Sequence, residues 1–176
     1  MTTASFITLI RIFLIFPIIY LSSTGDFNLS LVSLFLFITA SLSDYLDGYI
    51  ARKTDTVSEL GAFLDLLADK LLVVSMLLWL SFTTLDYFII FACLIICTRE
   101  LLITYIRSRV NSKHKELLSV SFLGKLKTTS QMIAIGVLII SPFLREEFYM
   151  ISITLLMVAS LLTVYSFIIY LFKLYK

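Results

Sequence analysis

The stretch Ser43–Lys70, SDYLDGYIARKTDTVSELGAFLDLLADK, places four aspartates, Asp44, Asp47, Asp65 and Asp69, in a chain that is otherwise overwhelmingly apolar. A carboxylate near a bilayer is costly unless it faces a cavity, a cation or a partner, so four within two helical segments need a shared reason. On a helix, Asp44 and Asp47 are three apart and share a face with Gly48 and Ala51. Asp65 and Asp69 are four apart and share a face with Gly61. Two short carboxylate rows with small residues between them describe a place where hard cations and a phosphate sit close to backbone. Oxygen-only ligands, with no His or Cys beside them, favour Mg²⁺, Mn²⁺ or Ca²⁺ over zinc.

Composition sets the environment. The chain has 176 residues, 60% of them hydrophobic and only 15% charged, against roughly 25% charged in soluble domains. With its repeated apolar runs it reads as a single polytopic membrane domain spanning 1–176. The N-terminus lacks a basic region and a small-residue cleavage site, so the first apolar segment is expected to be retained. Cys93 and Cys97, in FACLIIC, are i, i+4 on one helix, which suits neither disulfide geometry nor zinc. They read as small apolar residues facing lipid or another helix.

Six spans are expected, over roughly residues 4–21, 29–50, 59–81, 87–107, 122–143 and 148–172. The first carries Arg11 with Thr8 one turn earlier, and Arg11 either snorkels to the boundary or faces the interior with Thr8. Residues 51–58 are expected to be a loop. His114, in the polar connection SRVNSKHKELLSVS, reads as an ordinary surface residue. With the N-terminus inside, Arg11, Arg52, Lys53, Arg107, Arg109, Lys113, Lys115, Lys125, Lys127, Lys173 and Lys176 fall on the cytoplasmic side. The outer loops then hold Arg145 against Asp26, Asp86, Glu146 and Glu147. This asymmetry orients the chain with both termini and the aspartates at the cytoplasmic face.

The order Asp44-x-x-Asp47-Gly48-x-x-Ala51-Arg52, eight residues, Gly61-x-x-x-Asp65-x-x-x-Asp69 resembles the full signature of the CDP-alcohol phosphotransferase family of integral membrane enzymes. The resemblance implies that Asp44, Asp47 and Asp65 bind two divalent cations, Mg²⁺ or Mn²⁺. Asp69 would also lie at the metal site and act as general base toward an attacking alcohol. It implies a nucleotide site for the CDP-lipid built from Thr8, Asp44, Gly48, Ala51, Arg52, Gly61 and Asp65. Members often show Asn-x-x-Thr-x-x-Arg in the first span; here Ser5 stands at the Asn position before Thr8 and Arg11.

The implied reaction is attack of an alcohol on the lipid-bearing phosphorus of a CDP-linked lipid, releasing CMP. The text TRELLITYIRSR and LGKLKTTSQM is similar to bacterial members that use CDP-diacylglycerol and glycerol 3-phosphate. Arg99, Arg107, Lys125 and Lys127 are then candidates for the acceptor phosphate, the alternative for such cations being anchorage to anionic lipid headgroups. Homodimers in a bacterial cell membrane follow from the family; nucleic acid is not expected as a partner. Other acceptors, namely phosphatidylglycerol, inositol phosphate or serine, give sister enzymes, of which serine has no need of the extra cations. A cation transporter is the reading from another class, but the carboxylates gather near one face.

Asp69→Asn is expected to abolish turnover while the protein still folds in membranes. Retained activity in purified membranes would sink the general-base role.

Overall fold

A backbone surrounded by hydrocarbon must satisfy its own polar groups, which leaves the helix as the natural form for these apolar runs. The computed structural model describes residues 3–54, 59–109 and 122–174, with side chains described for 10–43, 70–106 and 126–172. The described residues are helical almost throughout, with no strand among them. The elements are α1 (Thr3–Ser23), α2 (Phe27–Thr54), α3 (Glu59–Thr84), α4 (Tyr87–Arg109), α5 (Phe122–Ile140) and α6 (Glu146–Leu174). A 3₁₀ turn, Ser141–Phe143, joins α5 to the connection before α6.

One of these bounds corrects the sequence reading. Residues 51–54, expected as loop, continue α2, so Ala51 and Arg52 lie on the same helix as Asp44 and Asp47. The fifth segment ends at Phe143 as expected, its last three residues tightening to 3₁₀ geometry at Pro142, which cannot supply the amide that another α-turn needs.

Local chemistry fixes the ends near residues 24–26 and 85–86. Asp26 Oδ1 accepts from the amides of Asn28 (2.8 Å) and Leu29 (3.2 Å), capping α2. Asp86 Oδ1 accepts from the Phe88 amide at 2.8 Å and caps α4 in the same way. Gly25 follows α1 with φ of 73°, the left-handed exit that glycine takes without steric cost. Leu85 makes the equivalent exit from α3 with φ of 50°.

Short connections make α1–α2, α3–α4 and α5–α6 antiparallel neighbours. Beyond these pairs, α1 packs on α3, α2 on α5, and α4 on α6. The interior is built from Ile18, Phe37, Met76, Leu77, Ile96, Ile135 and Leu156, with small residues such as Ala92, Ala134 and Ala159 where helices approach. Hydroxyls join helices: Ser33 Oγ donates to the Ile18 carbonyl at 2.8 Å, tying α2 to α1. Gln131 Nε2 donates to Thr163 Oγ1 at 3.3 Å, tying α5 to α6.

The outside is as apolar as the inside. Phe13, Phe35, Phe82, Leu101, Leu161 and Phe172 all project outward, Phe82 being 76% exposed. A water-facing surface does not carry aromatic and aliphatic residues on every helix at this density. Among the described residues three stretches, Tyr87–Ile106, Leu126–Phe143 and Glu146–Phe172, are long and apolar enough to cross a membrane. Shorter apolar stretches occupy Ile10–Ser23, Phe27–Ser43 and Lys70–Thr84. The chain is an all-helical integral membrane protein.

The second oxygen of Asp86 accepts from the Tyr149 hydroxyl at 2.9 Å, so one carboxylate caps α4 and holds α6. Tyr149→Phe is expected to lower unfolding free energy by about 1–2 kcal/mol, the worth of a hydrogen bond to a charged group. Thermal unfolding in detergent measures this; an unchanged midpoint would mean that the bond contributes nothing net.

Candidate active site

The most concentrated charge among the described side chains lies where α3, α4 and α5 meet. Glu100 on α4 is its centre. Its Oε1 accepts from Arg99 NH1 and from Lys127 Nζ on α5, each at 2.6 Å. Its Oε2 pairs with Lys70 Nζ on α3 at 3.3 Å. Lys70 also donates to the Glu100 carbonyl at 3.3 Å and to Thr104 Oγ1, which itself donates to that carbonyl at 2.8 Å. Arg99 NH2 reaches across to Ser166 Oγ on α6 at 3.4 Å. Four helices therefore contribute to one polar cluster.

The cluster sits inside apolar helices. Glu100 lies within the stretch 87–106 and Lys127 within 126–143, and the Lys127 side chain is only 6% exposed. Ionisable residues at such depth are paired and functional as a rule. Here pairing is incomplete. Three cations surround one carboxylate, a formal +2 among the described residues. Arg99 Nε is buried with no hydrogen-bond partner among them. Such a cluster holds donor capacity and positive charge to spare, the property of an anion site.

Chain connectivity ties the cluster to the second aspartate row. Lys70 directly follows Asp69 on α3. Asp44 and Asp47 lie near the end of α2, and Asp65 and Asp69 near the start of α3. Both rows are thus helical, as their spacing requires. The side chains of Asp44, Asp47, Gly48, Ala51, Arg52, Gly61, Asp65 and Asp69 lie outside the described residues, as do those of Thr8, Arg107 and Lys125. The loop containing His114 lies outside them too. Among the described residues no group of three His, Cys, Asp or Glu side chains converges as a metal site.

Of the four cations expected at an acceptor phosphate, Arg99 and Lys127 are brought together around Glu100. Lys70, which was not among the four, joins them. Glu100, at the centre of the cluster, was given no role from the sequence. The missed signal was available in the helical registers: an acid and a base inside two apolar spans demand each other. Arg11 resolves the other open question. It is 1% exposed, so it faces the interior and does not snorkel to the boundary.

The chain is similar in sequence to known proteins over most of its length. A family model described as CDP-alcohol phosphatidyltransferase matches residues 1–171. A CDP-diacylglycerol–glycerol-3-phosphate 3-phosphatidyltransferase of Haemophilus influenzae is 36% identical over 143 residues, covering 80% of this chain and 75% of the relative. A protein of that name numbered 2 in Arabidopsis thaliana is 36% identical over 153 residues, covering 80% of this chain and 66% of its own length. The enzyme of that name in Salmonella typhimurium is 32% identical over 142 residues, covering 80% and 77%.

If Lys127 and Glu100 form a true pair, a double-mutant cycle with Lys127→Met and Glu100→Gln will show coupling of about 1–3 kcal/mol. Chemical or thermal unfolding in detergent reads it. Additive effects would reduce the pair to proximity.

Proposed function

Because the chain belongs to the CDP-alcohol phosphatidyltransferase family, we propose that it transfers the phosphatidyl group of CDP-diacylglycerol to glycerol 3-phosphate. The products are phosphatidylglycerophosphate and CMP, and the step belongs to phospholipid biosynthesis. The observation that carries the acceptor is the Lys70–Arg99–Lys127 cluster around Glu100, one residue along the chain from the last aspartate. A phosphorylated acceptor supplies the anion that the cluster lacks; an uncharged hydroxyl would leave it unbalanced. The names of the relatives point to the same acceptor.

In this reading the chain divides the work between its two halves. Thr8, Gly48, Ala51, Arg52 and Gly61 receive the cytidine and diphosphate, the glycines and alanine by leaving room for close approach to backbone. Asp44, Asp47, Asp65 and Asp69 form an oxygen-only donor set that suits Mg²⁺ or Mn²⁺. When bound, two such ions supply charge stabilisation at the diphosphate. Arg99 and Lys127, with Arg107 and Lys125 on the same helices, hold the acceptor phosphate. That fixes the glycerol hydroxyl against the phosphorus that bears the lipid. Asp69 accepts the hydroxyl proton as the new oxygen–phosphorus bond forms, and the bond to the CMP oxygen breaks with its electron pair leaving on CMP. No covalent enzyme intermediate is needed; positioning and electrostatics carry the reaction.

The proposed setting is a bacterial cytoplasmic membrane, with six spans, both termini inside and homodimeric assembly. The apolar outer faces of all six helices and the charge asymmetry of the chain ends support it. A soluble acceptor and CMP then exchange with the cytoplasm while the lipid enters sideways.

The test is a radiolabelled acceptor assay on purified protein with CDP-diacylglycerol and Mg²⁺, running glycerol 3-phosphate, inositol phosphate, serine and phosphatidylglycerol side by side. Label is expected in lipid from glycerol 3-phosphate alone, and chelation of the metal is expected to stop it. Label from another acceptor overturns the substrate, and no CMP release with any of them overturns the activity.

A further inference from the structure

We infer that Glu100 is a positioning residue for the acceptor: it holds Lys70, Arg99 and Lys127 as one preformed receptor for a phosphomonoester dianion. The inference rests on the acceptor-phosphate reading of the cluster and deepens it. Three observations carry it. One carboxylate contacts all three cations, through Oε1 to Arg99 and Lys127 and through Oε2 to Lys70. The cations come from α3, α4 and α5, and the Glu100 carboxylate is the one negative charge described among them; without it Lys70 and Arg99 keep only the neutral acceptors Thr104, the Glu100 carbonyl and Ser166. The cluster keeps a formal +2 among the described residues, the charge that a phosphate dianion neutralises, and the buried Arg99 Nε still lacks an acceptor.

Glu100 thus does two opposed things to a bound phosphate. Its negative charge repels the dianion, and its hydrogen bonds fix the donors that grip it. The second dominates, because long lysine and arginine side chains lose rotamer freedom on binding unless they are already held. The tie to Lys70 adds register. Lys70 adjoins Asp69, so the carboxylate that shapes the phosphate receptor also sets its height against the proposed base.

The experiment compares wild type, Glu100→Gln and Glu100→Asp in detergent, at a temperature where circular dichroism shows all three folded. It measures KM for glycerol 3-phosphate, KM for CDP-diacylglycerol, kcat, and the Kd of inorganic phosphate by calorimetry. Glu100→Gln is expected to raise the acceptor KM and the phosphate Kd at least about tenfold, the scale of one charge-assisted hydrogen bond. The lipid KM should stay within about twofold. Glu100→Asp, which keeps the charge on a shorter stem, is expected to fall between wild type and Gln. A merely structural role would move the lipid KM, the acceptor KM and kcat together, or leave phosphate affinity unchanged; either result overturns the inference. Tighter phosphate binding by Glu100→Gln overturns it too, since Glu100 would then be a competitor of the substrate. If Glu100→Gln does not fold, an acceptor KM for Glu100→Asp equal to wild type overturns it. If wild type binds phosphate but transfers lipid to some other acceptor, the substrate reading fails, and the phosphate Kd values still decide the role of Glu100.

Discussion

A single half-buried carboxylate ties three helices together. Glu100 belongs to α4, yet its partners Lys70 and Lys127 belong to α3 and α5, and its neighbour Arg99 reaches α6. In a membrane bundle the hydrophobic effect does not choose between packings, because lipid is as apolar as a neighbouring leucine. Position must come from shape and from the few polar bonds that water cannot replace. A helix that slid by one residue, about 1.5 Å, would take its cation out of reach of Glu100. The charge cluster therefore acts on architecture and on chemistry through the same contacts.

The two ends of the bundle are built differently. The end that holds residues 24–26, 85–86 and 144–145 is stitched by short turns and by caps, with Asp26 and Asp86 each closing a helix and Tyr149 binding Asp86. The carboxylates of Asp26 and Asp86 are satisfied locally. The Glu100 cluster, toward the far end of α4, keeps charge unsatisfied within apolar helices. Burying ions without full pairing costs stability. Proteins retain that cost chiefly where a ligand completes the pairing. This difference supports the proposed working end by an argument independent of the aspartates.

The sequence made the helical membrane fold legible because apolar runs of this length have one stable backbone form. It marked the aspartate rows because acids in an apolar chain stand out and because their spacing matches a known signature. Other features depended on partners far along the chain. Lys70 reads as one more charge beside Asp69 until α3 is set against α4, where Glu100 and Thr104 receive it. Arg11 reads equally as a boundary or an interior residue until its burial is seen. One helix end was misjudged: residues 51–58 were read as loop, yet Ala, Arg and Lys are good helix formers and α2 runs on to Thr54.

The continuation of α2 changes what Arg52 can do. On a loop its guanidinium would be a mobile surface charge. On the helix it stands one turn beyond Gly48, with its backbone direction fixed by the same rod that carries Asp44 and Asp47. A rigid element presents phosphate ligands with less entropy to lose than a loop does. The same holds across the bundle: every residue assigned here to the two substrates lies on one of the helices, none in a connection. For a reaction that rests on placing a hydroxyl against a phosphorus, helices that hold their side chains before either substrate arrives are the main source of catalysis that the protein can build.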